Sequence, residues 1–199
     1  MPADLRRAMT THYINITLLP DPEFSHAHLL GALVAKLHRA LVQGHTSDIG
    51  VSYPEHIGQP ITKRTLGAVL RLHGTPEALQ RLTGQDWLKG MRDHTHVGEL
   101  LPVPPTALHR YVRRRQFKTN VDRLRRRRMQ RKGETVEQVT AAIPETVERR
   151  PDLPFVQLRS SSTGQPFSLC VEHGPVQSQP VFGTFNAYGL GQDATVPWF

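Results

Sequence analysis

Residues 12–19 read HYINITLL, a Tyr- and Ile-rich run that predicts a strand, halted by the Pro20-Asp21-Pro22 turn. From Ser25 the apolar period lengthens. Leu30, Leu33, Val34, Leu37 and Leu41 recur at helical spacing, with Ser25 where an N-cap belongs and Gly44 where a C-terminal glycine belongs. His38 falls at the edge of that apolar face. DIGVSYP (48–54) and LGAVLRLHG (66–74) predict two more strands joined by a polar loop or hairpin. TPEALQRLTG predicts a short helix, with Thr75 as N-cap and Pro76 at the first helical position. DWLKGMRDH adds a turn packed by Trp87, and HVGELLPVP returns as a strand. The order strand, helix, strand, strand, helix, strand is that of a ferredoxin-like split βαβ domain.

PVPPT (102–106) reads as a linker. It separates a ferredoxin-like domain over 12–104 from a second domain over 105–199, and residues 1–11 are expected to be a disordered extension. Beyond the linker, LHRYVRRRQFK alternates loosely and is expected to be extended. Asn120 can cap a helix, VDRLRRRRMQRK, and TVEQVTAAI predicts another that ends before Pro144. The last quarter is strand-like: LPFVQLRS, a SSTGQ turn, PFSLCVEH, VFGTFNAYGL and a terminal VPWF that packs. The fold class is therefore α+β, with an α/β C-terminal domain carrying the arginine-rich helix.

Charge changes this picture most. Residues 110–132 hold 12 of the 25 Lys and Arg against one acid, Asp122, so this stretch carries +11 of a chain total of +8 and the remainder sums to −3. A basic cluster so focused calls for a polyanion. In the helix within it Val121, Leu124 and Arg128 mark a very narrow apolar stripe, while Arg123, Arg127 and Arg131 recur every four residues and Arg126 flanks them. Like charges at that spacing cost an isolated helix roughly 0.2–0.5 kcal/mol per pair. Phosphate binding is favoured over a solvated basic face, and duplex RNA over duplex DNA. Arg114, Arg115 and Gln116 are residue types that read base edges, or equally make further phosphate contacts. The single cysteine, Cys170, excludes an internal disulfide and a Cys-based zinc site. No run is apolar enough for a membrane span or signal peptide, so no membrane partner is expected and a cytoplasmic location is the default.

RNA carries its own nucleophile, a 2′-hydroxyl that can attack the adjacent phosphorus once a base removes its proton. That chemistry calls for no metal or other cofactor, and the sequence offers no HExxH and no dense carboxylate cluster. His38 is a candidate base, although a helix-edge histidine satisfied by its neighbours is the commoner reading. The hydroxyl-rich turn from Ser160 through Ser162 and Thr163 to Gly164 suits phosphate or ribose, although on its own an ordinary polar turn is the better reading. Phe167 could stack on a base, although an aromatic in a strand is more often core, and Tyr188, in a glycine-flanked AYGLG, could be core too.

Taken in order, KLHRAL with DIGVSYP, RRRQFKTN running into RLRRRRMQR, LRSSSTGQPF, YGLG and VPWF resemble the CRISPR type I-F repeat-processing endoribonucleases, from about residue 12 to the end. The resemblance implies a protein that binds the hairpin of each CRISPR repeat and cuts at the 3′ base of its stem without metal. It would leave a 2′,3′-cyclic phosphate and a 5′-hydroxyl, then keep its product in a single turnover and join other subunits of a crRNA surveillance complex. By the same resemblance His38 is the catalytic histidine, Ser160 positions the ribose and Tyr188 orients the histidine. Ser162 and Thr163 are active-site hydroxyls, and Phe167 stacks near the cleavage site. Arg114 and Gln116 read bases, and Arg123, Arg126, Arg127 and Arg131 follow the RNA backbone, where the charge of Arg115 places it too. The chain departs from the pattern at Gln130, where the family has arginine, at Val121, where it has proline, and in its N-terminal extension. The alternatives are a non-catalytic hairpin-binding subunit of such a complex and a basic DNA-binding protein.

Overall fold

The computed structural model describes residues 10–58, 64–116, 121–144, 152–160 and 162–199, with the backbone alone at 122 and 123. Asn120, expected to cap the arginine helix, the side chain of Arg123 and most of the expected N-terminal extension lie outside the described residues. Two compact units result: Met1–Arg114 with Leu153–Phe199, and Arg115–Asp152. The architecture is α+β.

The first sheet has the order β2-β3-β1-β4, built from β1 (His12–Leu18), β2 (Gly50–Ser52), β3 (Val69–Gly74) and β4 (Thr95–Val97), with β5 (Leu101–Pro102) also on β1. All its pairs are antiparallel. HVGELLPVP is therefore two short strands rather than one. Ile16 pairs Val97 but Tyr13 pairs Leu101, so one extra residue bulges out between them and the ladder restarts out of step. On β1, Ile14, Ile16 and Leu18 turn inward at every second position. The opposite face is covered too: Arg71 reaches Asn15 Oδ1 and the Phe199 carbonyl and lies over the Phe199 ring, which meets Tyr13 edge-on.

Helix α1 (His26–Gln43) opens with the Ser25 hydroxyl accepting from the His28 N–H, and buries Leu29, Leu30, Leu33, Val34, Leu37, Ala40 and Leu41. Helix α2 (Pro76–Thr83) opens on Thr75 in the same way. The second sheet has the order β7-β8-β6-β9, from β6 (Leu108–Arg115), β7 (Phe155–Arg159), β8 (Pro166–Gln177) and β9 (Val196–Trp198). Its β6–β9 and β7–β8 pairs are antiparallel, so the C-terminal strands do not form the parallel sheet that an α/β label implies. VFGTFNAYGL, read from sequence as strand-like, is a loop instead. The Asn186 side chain takes the N–H groups of Tyr188 and Leu190, which turns the backbone away from extended pairing. One core runs through this unit, from Leu33, Leu37 and Leu72 to Val156, Leu169, Leu190 and Val196.

Gly31 is where α1 meets β7. A Cβ there would stand 2.7 Å from the backbone carbonyl oxygen of Gln157. Gly31→Ala is therefore expected to destabilise the fold by about 1–3 kcal/mol through overpacking. Thermal unfolding checks it, and an unchanged midpoint would mean that α1 and β7 can part freely.

In the second unit, α3 (Val121–Lys132) and α4 (Val136–Ala142) form a helical hairpin. A capping box between Thr135 and Gln138 starts α4. The described arginines of α3 differ in their surroundings. Arg128 makes a two-pronged contact with Glu134, 2.6 and 3.2 Å, and Arg125 Nε donates to the Ile143 carbonyl at 3.0 Å. Arg126, Arg127 and Arg131 are exposed.

Candidate active site

His38 projects from α1 into an open cavity of about 710 Å³. The helix period that buries Leu37 and Leu41 turns His38 about 100° aside, to the half-buried margin. Its Nδ1 lies 2.7 Å from the carbonyl oxygen of Ala187. A carbonyl only accepts, so Nδ1 carries a proton, and in the neutral ring the lone pair is on Nε2. The ring stacks on Tyr188 with centroids 4.1 Å apart and planes 8° from parallel. Both rotation and tautomer of the imidazole are thus held by neighbouring groups.

The clamp comes from the loop after residue 180. Asn186 Oδ1 accepts from Tyr188 N–H at 2.8 Å and Leu190 N–H at 3.2 Å, and the Gly189 N–H returns to the Asn186 carbonyl. Gly189 takes φ +71°, and its carbonyl accepts from Val51 N–H at 2.7 Å. A Cβ on Gly189 would meet the Val51 side chain at 2.4 Å, so only glycine closes this turn against β2.

The wall opposite α1 is the β7–β8 hairpin. Its Arg159–Pro166 pair closes a turn in which Ser160 N–H donates to the Gln165 carbonyl and Gly164 N–H to the Ser160 carbonyl. The Ser160 hydroxyl lies 3.1 Å from that of Ser162 and accepts from Thr163 N–H at 3.3 Å. Ser160 and Ser162 line the cavity with His38, Tyr188, Phe167 and Arg114. The Arg114 guanidinium lies 5.4 Å from the centre of the Tyr188 ring and 5.9 Å from that of Phe167. Thr163 belongs to the same turn through its backbone.

Six of the residues singled out from sequence thus surround one cavity. Arg115 and Gln116, together with Arg123, Arg126, Arg127 and Arg131, belong to the other unit. Sequence reading missed Asn186 and Ala187, because a carbonyl acceptor leaves no side-chain signal and a lone Asn in a loop carries little. It also missed Arg39, Gln43 and Arg159, which line the same cavity. Among the described residues no group of three or more His, Cys, Asp or Glu could hold a metal ion. Burial raises the Cys170 thiol above its ordinary value, with Arg114 pulling weakly the other way, so it is a poor nucleophile at neutral pH.

An imidazole with one free acceptor nitrogen, beside two hydroxyls and a guanidinium, can take a proton from a bound hydroxyl and hold a developing anion. Two histidines elsewhere do not have this freedom. His73 is fully buried against Ser52 and held at about 3 by burial, with Arg71 and His109 adding to the shift. His173 stacks on His56 at 3.5 Å and is held at about 2 by burial, His56 and Arg110.

The family model described as "CRISPR-associated protein (Cas_Csy4)" matches residues 13–199. The chain is 46% identical over 188 residues to "CRISPR-associated endonuclease Cas6/Csy4" of Pseudomonas aeruginosa (strain UCBPP-PA14), covering 94% of this chain and 99% of that one. It is 44% identical, with the same coverage, to the protein of the same description from Escherichia coli (strain UTI89 / UPEC).

Proposed function

The chain belongs to the Cas_Csy4 family of CRISPR-associated proteins, and from that premise we propose that it is an endoribonuclease that matures CRISPR RNA. It binds the repeat hairpin of the precursor, cuts at the 3′ base of the stem and keeps the product, so that each molecule turns over once and delivers its RNA to a surveillance complex. The observation that carries the reaction is the His38 clamp, with Nδ1–H on the Ala187 carbonyl, the ring on Tyr188 and Nε2 free in the cavity.

In the proposed step Nε2 removes the proton of the 2′-hydroxyl at the scissile nucleotide. The 2′ oxygen forms a bond to phosphorus as the bond from phosphorus to the 5′ oxygen breaks. The proton lost at 2′ is regained at 5′, so the products are a 2′,3′-cyclic phosphate and a 5′-hydroxyl. Ser160 holds the ribose, and Ser162 with Thr163 donates toward the phosphate. Nucleophile and base are both in place, and the step calls for no metal. Arg114 and Gln116 read bases at the foot of the stem while Phe167 stacks there. The deep groove of A-form RNA resists reading, so Arg115, Arg123, Arg126, Arg127 and Arg131 follow its phosphates. The element order and the strand order β2-β3-β1-β4 support reading the first sheet, with α1 and α2, as a ferredoxin-like domain.

A single 2′-deoxy substitution at the scissile nucleotide tests the nucleophile. The deoxy hairpin is expected to bind as the all-ribose one does and to remain whole. Cutting of it would mean that water, and not the RNA, attacks phosphorus.

A further inference from the structure

The cavity around His38 is longer than the chemistry just described requires. Its α1 wall runs from Ala35 to Gln43, about 12 Å of helix axis, against about 3.4 Å per stacked nucleotide. Arg39 stands between them, four residues from each, on the row beside His38 and Val42. Arg159 lines the cavity from β7. Both guanidiniums are exposed, and neither has a hydrogen bond, ion pair or ring contact with any described residue. Arg114 differs, because it lies over two aromatic rings. The described lining contains three arginines and no acid. Val42, 48% exposed, offers an apolar surface next to Arg39, and Gln43 an amide.

Attack and departure at phosphorus are roughly in line. The leaving 5′ oxygen therefore faces away from the ribose held by His38 and Ser160, and the chain beyond it must run out along the cavity. We propose that Arg39 and Arg159 form a subsite for the single-stranded RNA 3′ of the scissile phosphate, gripping its backbone while Val42 and Gln43 meet a base. This rests on reading the cavity as an RNA-cleaving site. The subsite favours uncut precursor, whose flank it holds, and loses that part of its grip once the flank is severed.

The test compares two repeat hairpins that are 2′-deoxy at the scissile nucleotide, one ending at the cleavage site and one carrying a short single-stranded 3′ flank. Their dissociation constants are measured over a range of salt. The flank is expected to tighten binding by wild type about fivefold. It should also steepen the salt dependence by about 0.7 per phosphate engaged. In Arg39→Gln the gain should shrink, and in Arg39→Gln/Arg159→Gln it should vanish with its extra salt slope, while the flankless hairpin binds both variants within about twofold of wild type. Equal binding of the two RNAs by wild type, or a flank gain that survives in the double variant, overturns the subsite alone. If wild type binds neither hairpin, the reading of the protein as a repeat-processing enzyme fails, and the subsite with it.

Discussion

His38→Ala is expected to lower single-turnover cleavage of the repeat hairpin by about three powers of ten while leaving hairpin affinity nearly unchanged. A positioned general base is worth roughly 10²–10⁴ in rate, and His38 is the imidazole the cavity presents with a free nitrogen. The ring lies on the margin of the α1 core face and Ala keeps the helix, so loss of folding is not the route. Tyr188 separates positioning from chemistry. Its parallel ring at 4.1 Å is what restrains the imidazole. Tyr188→Phe should therefore keep most of the rate, and Tyr188→Ala should lose much of it without loss of binding. Cleavage by His38→Ala within about tenfold of wild type would remove His38 from the role of base.

Acid should begin to weaken the fold before its carboxylates titrate. His73 is held at about 3 and His173 at about 2, against an ordinary 6.5. Among the described residues, the groups found facing them are neutral or basic: His73 meets Ser52, Arg71 and His109, and His173 meets His56, Tyr53, Trp198 and Arg110. Below pH 6.5 the unfolded chain protonates both while the folded chain protonates neither. Their neutrality costs nothing above 6.5, and stability falls as pH drops toward 3. Each histidine contributes a slope of about 1.4 kcal/mol per pH unit, so the pair gives about 2.7. A domain at the low end of ordinary stability, about 5 kcal/mol, is then lost about two pH units below 6.5, and a more stable one is weakened by the same amount there. Denaturant unfolding from pH 7.5 to 4.5 measures this. His173→Phe, which keeps a ring on His56, should take about one proton from the slope. Stability that stays level between pH 7 and 5 would mean that the two sites admit water or protonate in place.

The elements with strong periodicity were legible. Helix α1 has its cap, its apolar stripe and its stop in sequence, and the structure carries them from Ser25 to Gly44. His38 was visible as an edge residue, but what distinguishes it was not. The Ala187 carbonyl that sets its tautomer is 149 residues away, and a main-chain acceptor leaves no residue-type trace. The loop that carries it looked like a strand because Val181, Phe182, Phe185 and Tyr188 are β-formers. A side-chain oxygen on Asn186 outweighed them by taking two backbone donors. The bulge between β4 and β5 was hidden similarly, since register is a property of the partner strand. Along α3 the spacing marked a row of arginines but named no partner for Arg125 or Arg128. Only the fold shows that Arg125 donates to the Ile143 carbonyl and that Arg128 pairs with Glu134.

That His38 and the RNA's own 2′-hydroxyl together cut the repeat is tested most directly by incubating wild-type protein with the all-ribose repeat RNA of its own locus in EDTA and identifying the new ends. A single cut at the 3′ base of the stem, with a 2′,3′-cyclic phosphate on one fragment and a 5′-hydroxyl on the other, is the expected result. No cut in chelator with cutting restored by a divalent cation, or a 5′-phosphate on the downstream fragment, would contradict it.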